Sequence, residues 1–394
     1  MFVNTPPMGW NTWNTFGADI NEELIKETAD AMVSSGLSDA GYKYVVIDDM
    51  WAEPERDRSG HLVPDRKKFP HGMKYIGDYI HSLGLKFGIY SCAGYVTCGG
   101  FPGSYDHEWT DAKTFAEWGV DFLKYDFCYR STVIRPDVLI KRMSAALSCS
   151  GRDILLSACT WGTANTKQWI KETGAQMWRS TVDIADSWES VKALSQSQIV
   201  AQEYNGKGCF NDMDMLVVGM KGKGNVALTG CTFEEYKLHF SLWALLGSPL
   251  MIGCDVRNMD DETKEILFNR DLIAIDQDQR YCEPFFANRK YYEPNPARKP
   301  SEPYYKDYPV DCPVIARFLD NGDIAIGFFN FNDWEIGPAQ AAFIPEDIGI
   351  PLSSGKTLEF RDLWSGEKIE TKNGLYFISS VAPHSCRMFR AKIV

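Results

Sequence analysis

A chain of 394 residues exceeds what one hydrophobic core usually serves, so a large domain plus a smaller one is expected. A formal net charge of -12 excludes the basic stripe that nucleic acid or an anionic membrane would need, and no run approaches the roughly 20 apolar residues of a membrane span. Aromatic residues reach 13%, with 12 Trp, which suits a neutral ligand such as a sugar.

The start, Met1-Phe2-Val3-Asn4-Thr5-Pro6-Pro7, lacks the charged and apolar regions of a secretory leader, so a cytoplasmic chain, or a secreted one already trimmed, is expected. From there to about residue 275, short β-rich runs alternate with amphipathic segments, the pattern of a parallel sheet. Candidate strands fall at 8–10, 44–47, 86–90, 122–125, 154–157, 177–179, 208–211 and 250–253. Segment 22–35 places Leu24, Ile25, Thr28 and Met32 on one helical face, and 73–83 does so with Met73, Ile76, Ile80 and Leu83. Gly84 and Gly119 each stop a helix just before a strand, and Thr232 with Glu235 reads as a capping box. Eight strands in this span predict a (β/α)8 TIM barrel over 1–279; an open doubly wound sheet is the runner-up, but no GxGxxG turn follows the first strand.

Beyond residue 280 the pattern changes to short strands at 314–318, 324–330, 356–360, 374–378 and 385–391, with an Asp320-Asn321-Gly322-Asp323 turn. This predicts a C-terminal antiparallel β-domain over 280–394, with a long loop at 291–308. Eleven cysteines include no CxxC pair, and six histidines make neither HxH nor HExxH, so zinc is not expected; one local disulfide is open.

Barrel enzymes work where strands end, and acidic residues gather there. Asp48 and Asp49 follow the second strand, Asp126 the fourth, Asp183 the sixth, Asp212 and Asp214 the seventh, and Asp255 the eighth. A single Asp after a strand is an ordinary cap or turn; convergence from five strands points to a site. Lys124 and Asp126 lie two apart on a strand and share a face, so the cation should lower the Asp126 pKa and keep a nucleophile ionised. A plain internal ion pair is the competing reading. The second carboxylate is Asp183 or Asp186, and as a general acid it should be partly desolvated or beside another carboxylate. A magnesium site made of carboxylates alone also competes. Among six Trp residues placed near the mouth (Trp10, Trp13, Trp51, Trp161, Trp178 and Trp188), Trp13 and Trp51 are the choices for ligand contact.

At these residues the chain resembles glycoside hydrolase family 27, the α-galactosidase and α-N-acetylgalactosaminidase family. The motifs are Pro7-Met8-Gly9-Trp10-Asn11-Thr12-Trp13, Ile47-Asp48-Asp49, Phe87-Gly88-Ile89-Tyr90, Gly100-Phe101-Pro102-Gly103-Ser104, Lys124-Tyr125-Asp126-Phe127-Cys128, Asn211-Asp212-Met213-Asp214-Met215 and Ser248-Pro249-Leu250, with Asp362-Leu363-Trp364-Ser365-Gly366 in the β-domain. The resemblance implies a retaining exo-glycosidase without cofactor or metal, acting on a terminal α-galactosyl residue, with Asp126 as nucleophile and Asp183 as acid/base. Their carboxyls would stand about 5–5.5 Å apart. It further implies Asp48 and Asp49 at O4 and O6, Lys124 at O3 and O4, and Arg179 near O2. Trp13, Tyr90, Asp214 and Met215 complete the pocket, and Cys98 and Cys128 form a disulfide beside it.

Two departures stand out. The family's α-galactosidases commonly read Cys-Glu-Trp after the fifth strand, where this chain has Cys159-Thr160-Trp161, and Phe127 replaces a small or polar residue. Thr160 leaves an α-N-acetylgalactosaminidase open, and a β-L-arabinopyranosidase and a non-catalytic carbohydrate-binding relative stand beside it as rivals. The expected partner is a carbohydrate substrate, with a homo-oligomer open.

Overall fold

The computed structural model describes residues 3–288, 312–337, 341–366, 369–372, 375–378 and 380–394; the loop expected at 291–308 lies outside them. Eight parallel strands form one sheet: β1 Met8–Asn11, β2 Tyr44–Ile47, β3 Lys86–Cys92, β4 Phe122–Asp126, β5 Leu155–Cys159, β6 Met177–Arg179, β7 Phe210–Asp212 and β8 Leu250–Ile252. They pair in the order β8-β1-β2-β3-β4-β5-β6-β7. A parallel bridge between Leu216, just past β7, and Ile252 of β8 joins the two ends, with Leu216 N donating to Met251 O at 2.7 Å. The TIM barrel expected from the alternating pattern is therefore present.

Strands β3, β4 and β5 run one or two residues past their predicted ends. The polar residues Ser91, Asp126 and Cys159 resemble loop in sequence, yet the ladder carries them in register. Cys92, Asp126, Cys159, Arg179 and Asp212 are successive partners across β3 to β7, so the strand ends form a row at the mouth. One step below, Tyr90 pairs with Lys124 and Lys124 with Ser157.

Helices form where the apolar stripes predicted them. Glu22–Ser34 buries Leu24, Ile25, Thr28, Ala29 and Met32, and Asn21 caps it by accepting from Leu24 N at 2.9 Å. Gly72–Ser82 buries Met73, Ile76, Gly77 and Ile80, with Leu83 falling at its C-cap. Gly84 and Gly119 have φ of 74° and 80°, the left-handed stop that lets the chain turn into β3 and β4. The capping box also forms: Thr232 N donates to Glu235 Oε2 at 2.7 Å at the start of Phe233–Leu246.

The chain divides into two compact units, one made of 1–187, 207–230 and 249–268, the other of 188–206, 231–248 and 269–394. The second holds helices Trp188–Gln198, Phe233–Leu246 and Arg270–Asp276 together with an antiparallel sheet. In that sheet Val314–Phe318 and Ile324–Asn330 pair as expected, and Ser385–Ile393 lies between Ile324–Asn330 and Leu358–Asp362. Strands Phe285–Phe286, Ala342–Phe343 and Glu370–Lys372 add to the expected set, being too short for alternation to register in sequence. Phe328, Phe343, Phe389 and Tyr376 are central to this unit's core. No described helix is long and apolar enough to cross a membrane.

Candidate active site

A pocket opens at the strand ends of the first unit. Trp13, Asp48, Asp49, Tyr90, Cys98, Lys124, Asp126, Arg179, Asp183, Asp214 and Met215, all singled out from sequence, line it. Asn14, Cys159, Trp161, Ile184 and Val226 line it as well. Of these, Asn14 and Val226 carry no signal in a single sequence.

Asp126 ends β4 and is 6% exposed. Its Oδ1 accepts from Phe127 N at 2.7 Å and its Oδ2 from the Tyr90 hydroxyl at 3.2 Å. Burial pushes its pKa up to about 6, with Lys124 pulling the other way. This corrects the sequence expectation of a lowered pKa. Lys124 does share the face of Asp126, but its ammonium is 2.7 Å from Asp48 Oδ2, and desolvation outweighs the cation's pull on Asp126. Asn11 Nδ2 donates to the same Asp48 oxygen at 2.7 Å.

Asp49 is held by the amides of Met50 and Gly99, each at 2.8 Å, and burial raises its pKa against those bonds. Tyr90 is raised well above the ordinary phenol value by burial and then by Asp126, so its hydroxyl stays a donor. The Lys124 ammonium stands 5.4 Å from the Tyr90 ring centroid.

Across the pocket, Arg179 Nη2 reaches Asp214 Oδ2 at 2.5 Å and Asp183 Oδ1 at 2.8 Å. Asp214 Oδ2 also accepts from Ile184 N at 2.7 Å, so it braces the segment that carries Asp183. Burial raises the Asp214 pKa while Arg179 lowers it. Three residues near the mouth, Met50, Trp161 and Asp214, have φ of 73°, 52° and 85°; such strain in non-glycine residues gathers at functional sites.

Asp183 itself is 75% exposed on a loop beyond β6, so of the two environments expected of it, desolvation or a neighbouring carboxylate, it has the second: it shares Arg179 Nη2 with Asp214. Asp186, its rival in sequence, is wholly buried in the short strand Asp186–Ser187 and accepts from Gly222 N at 2.7 Å; it does not line the pocket.

Other expectations meet different outcomes. Trp51 is 3% exposed, donates from Nε1 to Tyr90 O at 2.9 Å and packs edge-on against Trp118, so it is a core wedge, while Trp161 takes a place in the pocket. Thr160 is fully buried, with its hydroxyl donating to Arg179 O at 3.2 Å, and Phe127 is buried too; neither lines the pocket. Asp255 caps the turn that follows β8 and pairs with Arg257. Asp212 lies beneath the site, where burial pushes its pKa up to about 6.

Cys98 and Cys128 form a disulfide, and both sulfurs lie within 4.8 Å of an Asp126 oxygen. Among the described residues these three are the one cluster with the spacing of metal ligands, but its sulfurs are bonded to each other and are poor ligands.

Residues 5–278 match the family described as alpha galactosidase A, and residues 311–391 match the alpha galactosidase C-terminal beta sandwich domain. The chain is 41% identical over 386 residues to the alpha-galactosidase of Cyamopsis tetragonoloba, covering 98% of this chain and 85% of that one. It is 32% identical to the solved alpha-galactosidase I of Mortierella vinacea, with a TM-score of 0.83 over 99% of this chain and 97% of that chain. Against the alpha-galactosidase of Saccharomyces cerevisiae solved with raffinose, identity is 28% and the TM-score 0.83, over 99% and 98% of the two chains. With both family matches falling in order along one chain, and with a glycosidase pocket at the barrel mouth, the protein is a glycoside hydrolase belonging to the α-galactosidase family, glycoside hydrolase family 27.

Proposed function

We infer that this enzyme removes terminal α-D-galactosyl residues from carbohydrate substrates with retention of configuration. The observation that carries the reading is that Asp126 and Asp183 open into one pocket from contrasting environments, one buried and hydrogen-bonded, the other exposed on a loop. Asp126 attacks the anomeric carbon through Oδ2, which accepts from the Tyr90 hydroxyl, while Oδ1 stays anchored on Phe127 N. As the glycosidic C–O bond breaks, the leaving oxygen takes the proton of Asp183. Water then attacks the same carbon, gives its proton to Asp183 and returns the bonding electrons to Asp126. Arg179 holds Asp183 by Oδ1, which leaves Oδ2 for the leaving oxygen.

The remaining polar groups position the sugar. Asp48, Asp49 and Lys124 form a fixed cluster for O3, O4 and O6, and Arg179 lies toward O2. Such binding is worth most where the donors and acceptors are preset, and here nearly every carboxylate oxygen already has a protein partner. Trp13 and Met215 supply apolar wall. The chemistry asks for no metal or cofactor. We also propose that 1–279 is the catalytic part and 280–394 an accessory β-domain; support comes from the pocket residues, all of which fall between 13 and 226.

The test is hydrolysis of three p-nitrophenyl glycosides, the α-galactoside, the α-N-acetylgalactosaminide and the β-L-arabinopyranoside, with a chelator present. Preference for the α-galactoside is expected. Since Thr160 turns away from the pocket, a preference for the N-acetyl sugar would mean that space at C2 is set by other groups, and loss of activity to the chelator would overturn the metal-free mechanism.

A further inference from the structure

Asp183 is the most exposed carboxylate of the pocket, and its own surroundings do little to hold it. Its carboxylate is held by Arg179 Nη2 at 2.8 Å. A proton reaches the leaving oxygen only from a carboxyl kept within hydrogen-bond reach of it, so the aim of Asp183 depends on how the Arg179 guanidinium is fixed.

Arg179 is 4% exposed, and its planar fork of donors can be fixed at more than one edge. Nη2 faces Asp183 and Asp214, and Nη1 lies 4.0 Å from Cys159 Sγ. The remaining edge is taken by Thr181: Arg179 Nε donates to its hydroxyl at 3.1 Å, and that hydroxyl donates in turn to Met213 O at 3.3 Å. Thr181 is buried and does not line the pocket. Its side chain carries on the link between β6 and β7 beyond their ladder. Arg179 pairs with Asp212, Ser180 N donates to Asp212 O at 3.0 Å, and one residue later the Thr181 hydroxyl, in place of its amide, reaches Met213 O. One buried hydroxyl thus fastens the guanidinium to the segment after β7, the same segment whose Asp214 meets Nη2.

We propose that Thr181 is a positioning residue for acid catalysis: by accepting from Arg179 Nε it fixes the guanidinium plane that aims the Asp183 carboxyl at the leaving oxygen. This rests on the assignment of Asp183 as acid/base. A hydroxyl suits the place because it accepts from a cation and donates to a carbonyl at once, which neither an apolar side chain nor a donor-only one can do. Without it a buried Nε–H loses its acceptor, and the guanidinium is free to turn toward another. The Nη2 contacts move with the plane, and Asp183, open to solvent on its loop, has no packing to keep it in place.

The experiment measures kcat/KM for methyl α-galactoside, whose alkoxide must be protonated as it leaves, and for dinitrophenyl α-galactoside, whose phenolate leaves unaided. Each is assayed with the full-length wild type, Thr181→Val, Thr181→Ser and Asp183→Ala. In Thr181→Val the value for the methyl compound should fall about tenfold to a hundredfold, a share of the roughly 10²–10⁴ that a positioned acid supplies, while that for the dinitrophenyl compound should fall no more than about threefold. The ratio of dinitrophenyl to methyl therefore rises, and Thr181→Ser, which keeps the hydroxyl, should return it to the wild-type value. Because each ratio is taken within one protein, loss of folded enzyme cancels; if Thr181→Val does not fold, Thr181→Ala removes the same hydroxyl and should raise the same ratio. Asp183→Ala should raise it at least as far. Equal falls on both compounds in Thr181→Val, an unchanged ratio, or a rise that serine does not reverse would overturn the role of Thr181. A wild-type ratio in Asp183→Ala would overturn the acid/base assignment beneath it, and no turnover of either compound by the wild type would overturn the proposed function itself.

Discussion

Asp126→Asn is expected to lower turnover of an α-galactoside by a factor of about 10⁴ or more while making the protein more stable at neutral pH. The first effect follows from losing the attacking oxygen. The second follows from burial, because Asp126 is 6% exposed and its pKa is pushed up to about 6. Between roughly pH 4, where the unfolded carboxyl titrates, and pH 6, the folded protein holds a proton that the unfolded chain has released. Stability from this group therefore falls as pH rises through that window. Asparagine carries no charge to bury, so its advantage over the wild type should be near zero at pH 4 and grow to on the order of 2–3 kcal/mol by pH 7. Urea melts of both proteins at the two pH values check it. An asparagine variant with the same stability difference at both would mean that the carboxylate is better solvated than its surroundings imply. Such a gain fits a site that spends stability on a buried nucleophile.

Lys124→Met should be the more damaging change to the fold. It leaves the Asp48 carboxylate, 2% exposed, without its ammonium, and breaking one side of a buried pair costs about 3–5 kcal/mol. Loss of sugar positioning should lower kcat/KM by about 10²-fold or more. The same substitution removes the cation that pulls the Asp126 pKa down most, so the acidic limb of kcat/KM, expected near pH 6 in the wild type, should move to higher pH. A pH profile that keeps its acidic limb in place would show that Asp126 does not feel Lys124. The thermal melt separates that electrostatic effect from simple unfolding.

How much of this was legible in the chain depends on what each residue's role required. The barrel was, because eight short strands alternate with amphipathic helical segments, two of them stopped by Gly84 and Gly119, and the structure moves the strand ends by only a residue or two. Asp126 was legible at the mouth, but its environment was not: adjacency to Lys124 on one strand said nothing of Asp48, which reaches the same ammonium from β2. Burial is a property of the closed barrel and could not be read from a two-residue spacing. Trp51 and Trp161 show the same limit. Both follow strands and both are aromatic, yet Trp51 turns inward to bond Tyr90 O while Trp161, with φ of 52°, turns into the pocket. Asp255 looked like a site residue by position and proved to be a cap, the ordinary use of Asp after a strand. Thr160, which suggested altered recognition at C2, donates to a backbone carbonyl, a choice invisible in sequence.

The most direct test of the mechanism is to trap the glycosyl-enzyme with a slow-reacting fluorinated α-galactosyl fluoride and map the adduct by peptide mass spectrometry. A galactosyl mass on Asp126, absent from Asp126→Asn, is the predicted result. An adduct on Asp183 or on any other residue, or turnover that releases β-galactose first without an adduct, would contradict the assignment of Asp126 as the nucleophile.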